Sequence, residues 1–161
     1  MLPCFTREGC LPPADYELTL DQLRSSMLVA GPPSGYPNWD RLWRARLVDN
    51  LAVLVEQLWL VGIDDIFIDG SFVEDKEHPN DIDGYFECEL MRLASGELQR
   101  ELNLLDPYKI WTWDPAARRP YGGYPKRPLP MLPVDRGYLC PHFGQLRCMR
   151  DERWHEHEFP S

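Results

Sequence analysis

No stretch of this chain approaches the ~20 consecutive apolar residues that a spanning helix needs. The N-terminus, Met1-Leu-Pro-Cys-Phe-Thr-Arg, also lacks a basic region followed by an apolar one. Membrane insertion and secretion are therefore disfavoured, and the cytoplasm is the expected location. Positive charge is short as well: 17 Lys and Arg stand against 26 Asp and Glu, a net charge of −9. The mean field repels polyanions, which disfavours nonspecific DNA binding. The cysteine count is odd, with Cys4, Cys10, Cys88, Cys140 and Cys148, which argues against a fully paired disulfide framework. A standard zinc pattern is missing too. Cys140, His142, Cys148, His155 and His157 offer potential ligands but no two close pairs, so scattered surface and core side chains are the simpler reading. What is present is ordinary: 161 residues, 43% hydrophobic and 27% charged, enough for one soluble domain and unlike a disordered chain or a coiled coil.

Residues 1–18, with Pro3, Pro12 and Pro13, read as an extended N-terminal arm. Thr19 followed by Gln22 fits a capping box, and Leu20, Leu23, Met27 and Leu28 recur at helical spacing up to Gly31. Gly31-Pro-Pro-Ser-Gly-Tyr-Pro then breaks the helix. From an N-cap at Asn38, the stripe Trp39, Leu42, Trp43, Leu47, Leu51, Leu54, Val55 and Leu58 predicts a long helix ending before Gly62, with its tryptophans as core fillers. Asp65-Ile-Phe-Ile-Asp69 reads as a strand stopped by Gly70-Ser71. Asp81-Ile-Asp-Gly-Tyr-Phe-Glu-Cys88 reads as a second strand with Asp81, Asp83 and Tyr85 on one face. Met91 to Leu105 predicts a further short helix, and Tyr108 to Asp114 a third strand. The chain thus divides into an arm (1–18), a core (19–114) and a Pro/Gly-rich extension (115–161) of the same domain. That extension holds the densest basic region, Arg118, Arg119, Lys126, Arg127 and Arg136, a candidate anion contact for which a solvated loop is the commoner explanation.

Asp-x-Asp on a strand sets two carboxylates side by side, a spacing suited to a hard divalent cation. Two like charges held together are unfavourable unless a cation or solvent offsets them. Upstream, Gly70 lets backbone approach an anionic group, and Ser71 adds a hydroxyl donor. Each feature alone is common. Their joint order is more specific: amphipathic helix, strand, Gly-Ser, polar linker, strand with Asp-x-Asp, then a later strand carrying Asp114.

The segment Asp69-Gly-Ser-Phe-Val-Glu-Asp-Lys-Glu-His-Pro-Asn-Asp-Ile-Asp83 resembles the nucleotidyltransferase superfamily, the polymerase-β-like fold, in its small bacterial form. It looks closest to a branch that begins with a Leu-Pro-Pro element, as in Leu11-Pro-Pro, and carries Gly-Ser-Phe-Val before Asp-Ile-Asp. The likeness spans about residues 11 to 114. The resemblance implies an α+β fold, a mixed β-sheet with helices packed on one side. It implies a Gly70-Ser71 turn on nucleotide phosphates and Asp81 and Asp83 holding Mg²⁺ or Mn²⁺, with a nucleoside triphosphate as co-substrate. A third carboxylate is expected at Asp114, with Asp106 and Asp135 as fallbacks. Lys76 would reach phosphate oxygens as a point charge, although an exposed loop lysine explains it as well.

The implied activity is transfer of a nucleoside monophosphate to a protein, RNA or small-molecule hydroxyl. The alternative is a catalytically degenerate module of the same fold that binds a partner protein in a toxin–antitoxin or phage-defence pair. Phe72, Val73 and Glu74 stand where many transferases place a basic residue, and the linker is acidic. Arg150-x4-His155 matches the spacing of the helical ribonucleases that accompany small nucleotidyltransferases, but only six residues follow it, and coincidence is the simpler account. An unrelated α+β domain whose Gly-Ser and Asp-x-Asp pair by chance is the third reading, and absence of a strand, turn and strand over residues 65 to 87 would establish it.

Overall fold

The computed structural model of the protein describes residues 1–33, 35–106 and the backbone of 145–149. Its elements run β1 (Asp15–Thr19), α1 (Leu20–Ser25), α2 (Met27–Ala30), α3 (Arg41–Leu60), β2 (Ile66–Asp69), a 3-10 turn (Gly70–Val73), β3 (Asp83–Phe86), α4 (Leu90–Ala94), α5 (Glu97–Leu105) and β4 (Gln145–Met149). The class is α+β. The four strands form one mixed sheet in the order β1-β4-β2-β3, with β1 parallel to β4 and β2 antiparallel to both β4 and β3.

Thr19 ends β1 and starts α1. Its hydroxyl accepts from the Gln22 amide at 3.1 Å while the Gln22 side chain accepts from the Thr19 amide at 2.9 Å, the expected capping box. The single helix expected up to Gly31 is two. Ser26 leaves the helical region (φ −73°, ψ 167°), closes α1 and caps α2 by accepting from the Leu28 amide. A serine hydroxyl competes with the helix for backbone partners, which is why the break falls there. The long helix begins two residues later than expected, because Asp40 rather than Asn38 caps it, accepting from the Trp43 amide at 2.9 Å. The end of the N-terminal arm is also part of the sheet: Asp15–Thr19 pairs with the far end of the chain as β1.

Most of the predicted stripe of α3 is buried, including Leu47, Leu51, Leu54, Val55 and Leu58. Leu42 departs from it at 82% exposure, and Arg44 is buried instead at 0%. The same core takes Leu23 and Leu28 from α1 and α2, Ile66 and Ile68 from β2, Phe86 from β3, and Leu98 and Leu102 from α5. Each fully buried aliphatic side chain of this kind is worth about 1.5–3 kcal/mol relative to exposure. None of the helices among the described residues is long and apolar enough to cross a membrane.

Strand, turn and strand are present between Ile66 and Phe86. The predicted third strand with Asp114 lies outside the described residues. So do Asp135, the basic run from Arg118 to Arg136, Cys140, His142 and the Arg150–His155 motif with His157. Cys148 is described only as backbone within β4.

Candidate functional site

Along β2, Ile66 and Ile68 point into the core, so Phe67 and Asp69 share the opposite, half-buried face. On β3, Phe86 points inward and Asp83 and Tyr85 share that same opposite face. The register pairs Asp69 with Asp83 and Phe67 with Tyr85. The two aromatic rings stack at 4.7 Å and 11°. Directly opposed residues have β-carbons about 4.5–5.5 Å apart, so two carboxylates meet across the strands.

The face expected to carry Asp81, Asp83 and Tyr85 carries only the last two, because β3 begins at Asp83 and Asp81 precedes it. Asp81 still acts on Asp83 through its charge. Burial, foremost, holds the Asp83 carboxyl above the usual carboxylate range. The charges of Asp81 and then Asp69 push the same way, and Lys76 opposes them. Asp69 is therefore a site carboxylate that the sequence pattern did not single out. Its signal was its place at the end of a strand just before Gly-Ser, which becomes meaningful only once the register is known. Its Oδ1 is buried and has no hydrogen-bond partner among the described residues.

Gly70 joins the turn to this pair. It holds φ at +71°, and a β-carbon there would lie 2.1 Å from Asp83 Oδ2. Only glycine meets both conditions, so the turn and the Asp-x-Asp strand form one unit. Ser71 is half-buried beside it, and Phe72 and Val73 continue the 3-10 turn into the core. Of the fallback carboxylates, Asp106 is buried at the end of α5. Among the described residues, no group of three or more His, Cys, Asp or Glu side chains is close enough to hold a metal ion. Of the expected metal ligands, Asp83 lies in the strand register and Asp81 acts on it through its charge. The orphaned Asp69 oxygen and the crowding of negative charge around Asp83 suit a cation.

The linker from Glu74 to Asn80 is held from four directions. Cys10 bridges to Glu74 in an antiparallel pair, and the Asp75 amide donates to Gly9 O at 2.8 Å. The Tyr36 hydroxyl donates to Asp75 Oδ2 at 2.9 Å, and the Asn38 amide to Glu77 Oε1 at 3.2 Å. The Trp43 indole donates to Pro79 O at 2.6 Å and stacks on His78 at 5.2 Å, and His78 Nδ1 lies 3.0 Å from Asp40 Oδ2. Arg44 reaches the linker from below, donating to Phe72 O at 2.8 Å, to Glu74 O at 3.3 Å and to Lys76 O.

The donors to Asp75 and Glu77 are a phenol hydroxyl and a backbone amide, neither of which carries a charge to offset theirs. Asp75 and Glu77 are engaged with the 36–38 loop, while Lys76 is exposed and its charge is felt at Asp83. Comparison with curated proteins and with solved structures gives no match. Residues 3–122 match the model of a family of unknown function, DUF6932, and the chain belongs to that family.

Proposed function

We propose that this protein is a metal-dependent nucleotidyltransferase of the polymerase-β-like superfamily, acting in the cytoplasm. It moves a nucleoside monophosphate from a nucleoside triphosphate to a protein, RNA or small-molecule hydroxyl. The observation that carries this reading is the Gly70 turn seated directly against the Asp83 carboxylate at the junction of two antiparallel strands. That arrangement sets a Gly-Ser turn, a motif suited to phosphate, beside a carboxylate of the kind that takes a divalent cation, which supports the reading.

In this reading Asp81 and Asp83 would hold Mg²⁺ or Mn²⁺, which when bound would supply positive charge for a departing pyrophosphate. Gly70 lets the turn pack against the Asp83 carboxylate, and Ser71 donates its hydroxyl to the phosphates. Lys76 adds a mobile positive charge from the linker. Asp114 assists the attacking hydroxyl, a role that rests on the sequence pattern alone.

The test is incubation with each α-labelled nucleoside triphosphate and Mg²⁺ or Mn²⁺, with and without lysate, comparing wild type with the double variant Asp81→Ala, Asp83→Ala. Label entering protein or RNA only with intact carboxylates supports the proposal and names the acceptor class. No transfer, together with no metal-dependent nucleotide binding, overturns it.

One observation favours the second reading, a degenerate module that binds a partner protein in a toxin–antitoxin or phage-defence pair. Phe72 and Val73 are both buried in the core, so no basic side chain follows the Gly-Ser turn. A stable complex with a protein partner that persists in the Asp81→Ala, Asp83→Ala variant, without any transfer, would select that reading.

A further inference from the structure

Arg44 sits on the buried face of α3 with 0% exposure, and among the described residues no acidic side chain accepts from it. It donates instead to four backbone carbonyls: Leu28 O in α2, Phe72 O in the 3-10 turn, and Glu74 O and Lys76 O in the linker that follows. Its guanidinium lies 3.8 Å from the Trp39 ring centroid and 5.0 Å from that of Phe72, between the two rings. Burial pulls its pKa down to about 10, so it is charged at neutral pH. Burying a cation without a carboxylate partner is costly, and a well-packed apolar side chain fills such a space more cheaply. What the apolar side chain cannot do is gather carbonyls from two separate segments.

We propose that Arg44 is the positioning residue of the Gly70-Asp83 site. It fixes the backbone one peptide beyond Ser71 and the backbone that carries Lys76, and so holds the Lys76 charge against Asp83. This inference rests on the reading of Asp81 and Asp83 as a cation site. The planar fork of arginine supplies five donors in a fixed geometry, whereas a lysine ammonium has three on one point and cannot serve the four carbonyls together. Arg44→Lys therefore keeps the charge and loses the geometry.

The experiment is a double-mutant cycle of Arg44→Lys and Lys76→Met, read as affinity for Mn²⁺ alone, with backbone amide exchange on each variant. In the wild-type background, Lys76→Met removes a like charge near the cation and tightens Mn²⁺ binding by roughly fivefold. Arg44→Lys releases Lys76 and tightens binding similarly, and adding Lys76→Met to it gives little more. Exchange accelerates at residues 72–77 while β2 and β3 stay protected. Full additivity of the two substitutions overturns the proposal, because independent sites add.

If the wild type binds no Mn²⁺ at Asp81 and Asp83, the functional reading falls and exchange alone decides Arg44. Selective acceleration at 72–77 then supports its positioning role, and uniform loosening or no change overturns it. Should Arg44→Lys fail to fold, Trp39→Phe loosens the stack on the guanidinium. It is expected to give a smaller effect that is again non-additive with Lys76→Met, and additivity there overturns the proposal equally.

Discussion

Asp83 Oδ2 occupies the space that a β-carbon on Gly70 would need, 2.1 Å from its ideal position, while Gly70 itself holds φ at +71°. The two residues therefore restrict each other. Any side chain at position 70 meets backbone strain and displaces the carboxylate of the neighbouring strand. Gly70→Ala is expected to cost about 1–3 kcal/mol from the left-handed conformation alone. It is also expected to abolish Mn²⁺ binding, because Asp83 must swing away. Urea unfolding and a Mn²⁺ titration on the same variant check both outcomes, and unchanged Mn²⁺ affinity would contradict the coupling.

Asp83 sets a stability dependence on pH. Its folded-state pKa is raised above the ordinary 3.8, first by burial and then by Asp81 and Asp69. A raised carboxyl pKa means that the folded state holds its proton longer than the unfolded state. Its contribution to stability is therefore complete at acid pH below 3.8 and is lost as pH rises through the folded-state value. Asp83→Asn removes that loss, so the variant is expected to melt higher than wild type at pH 7, with the difference shrinking as pH falls towards 3.8. Thermal melts across this range measure it. The same variant should lose Mn²⁺ binding, an instance of a site kept at some cost in stability.

Asp69 faces Asp83 across the strand pair and leaves Oδ1 buried without a donor among the described residues. Like charges directly opposite one another destabilise a sheet. Asp69→Asn is expected to raise the melting temperature and to weaken Mn²⁺ affinity, since it removes negative charge from beside Asp83. A variant that melts lower than wild type, with Mn²⁺ affinity intact, would show that Asp69 serves only the turn.

The short helix α5 depends on docking. It spans nine residues, too few to be stable alone in water, and inserts Leu98 and Leu102 into the core at 0% exposure. Leu98→Ala is expected to cost about 2–5 kcal/mol. Leu104, 86% exposed on the same helix, should tolerate serine within about 0.5 kcal/mol. Chemical denaturation of the pair distinguishes docking from helix propensity.

Features built from neighbouring residues were legible in the sequence. The Thr19-Gln22 capping box, the apolar period of α3 and the strand that stops at Gly70-Ser71 all depend on contacts within a few residues, and each is present. The break at Ser26 was equally local, but a hydroxyl that can serve either as helix surface or as cap has no single reading.

The tertiary structure alone decided the rest. The opposition of Asp69 to Asp83 follows from strand register, and a one-residue slip would send every side chain to the other face. The arm became β1 because its partner, β4, arrives from the far end of the chain. Arg44 was not singled out by the sequence pattern. Its burial is possible only because four carbonyls from two separate segments, together with two aromatic rings, converge on one guanidinium, and such long-range convergence leaves no periodic trace in the residues around it.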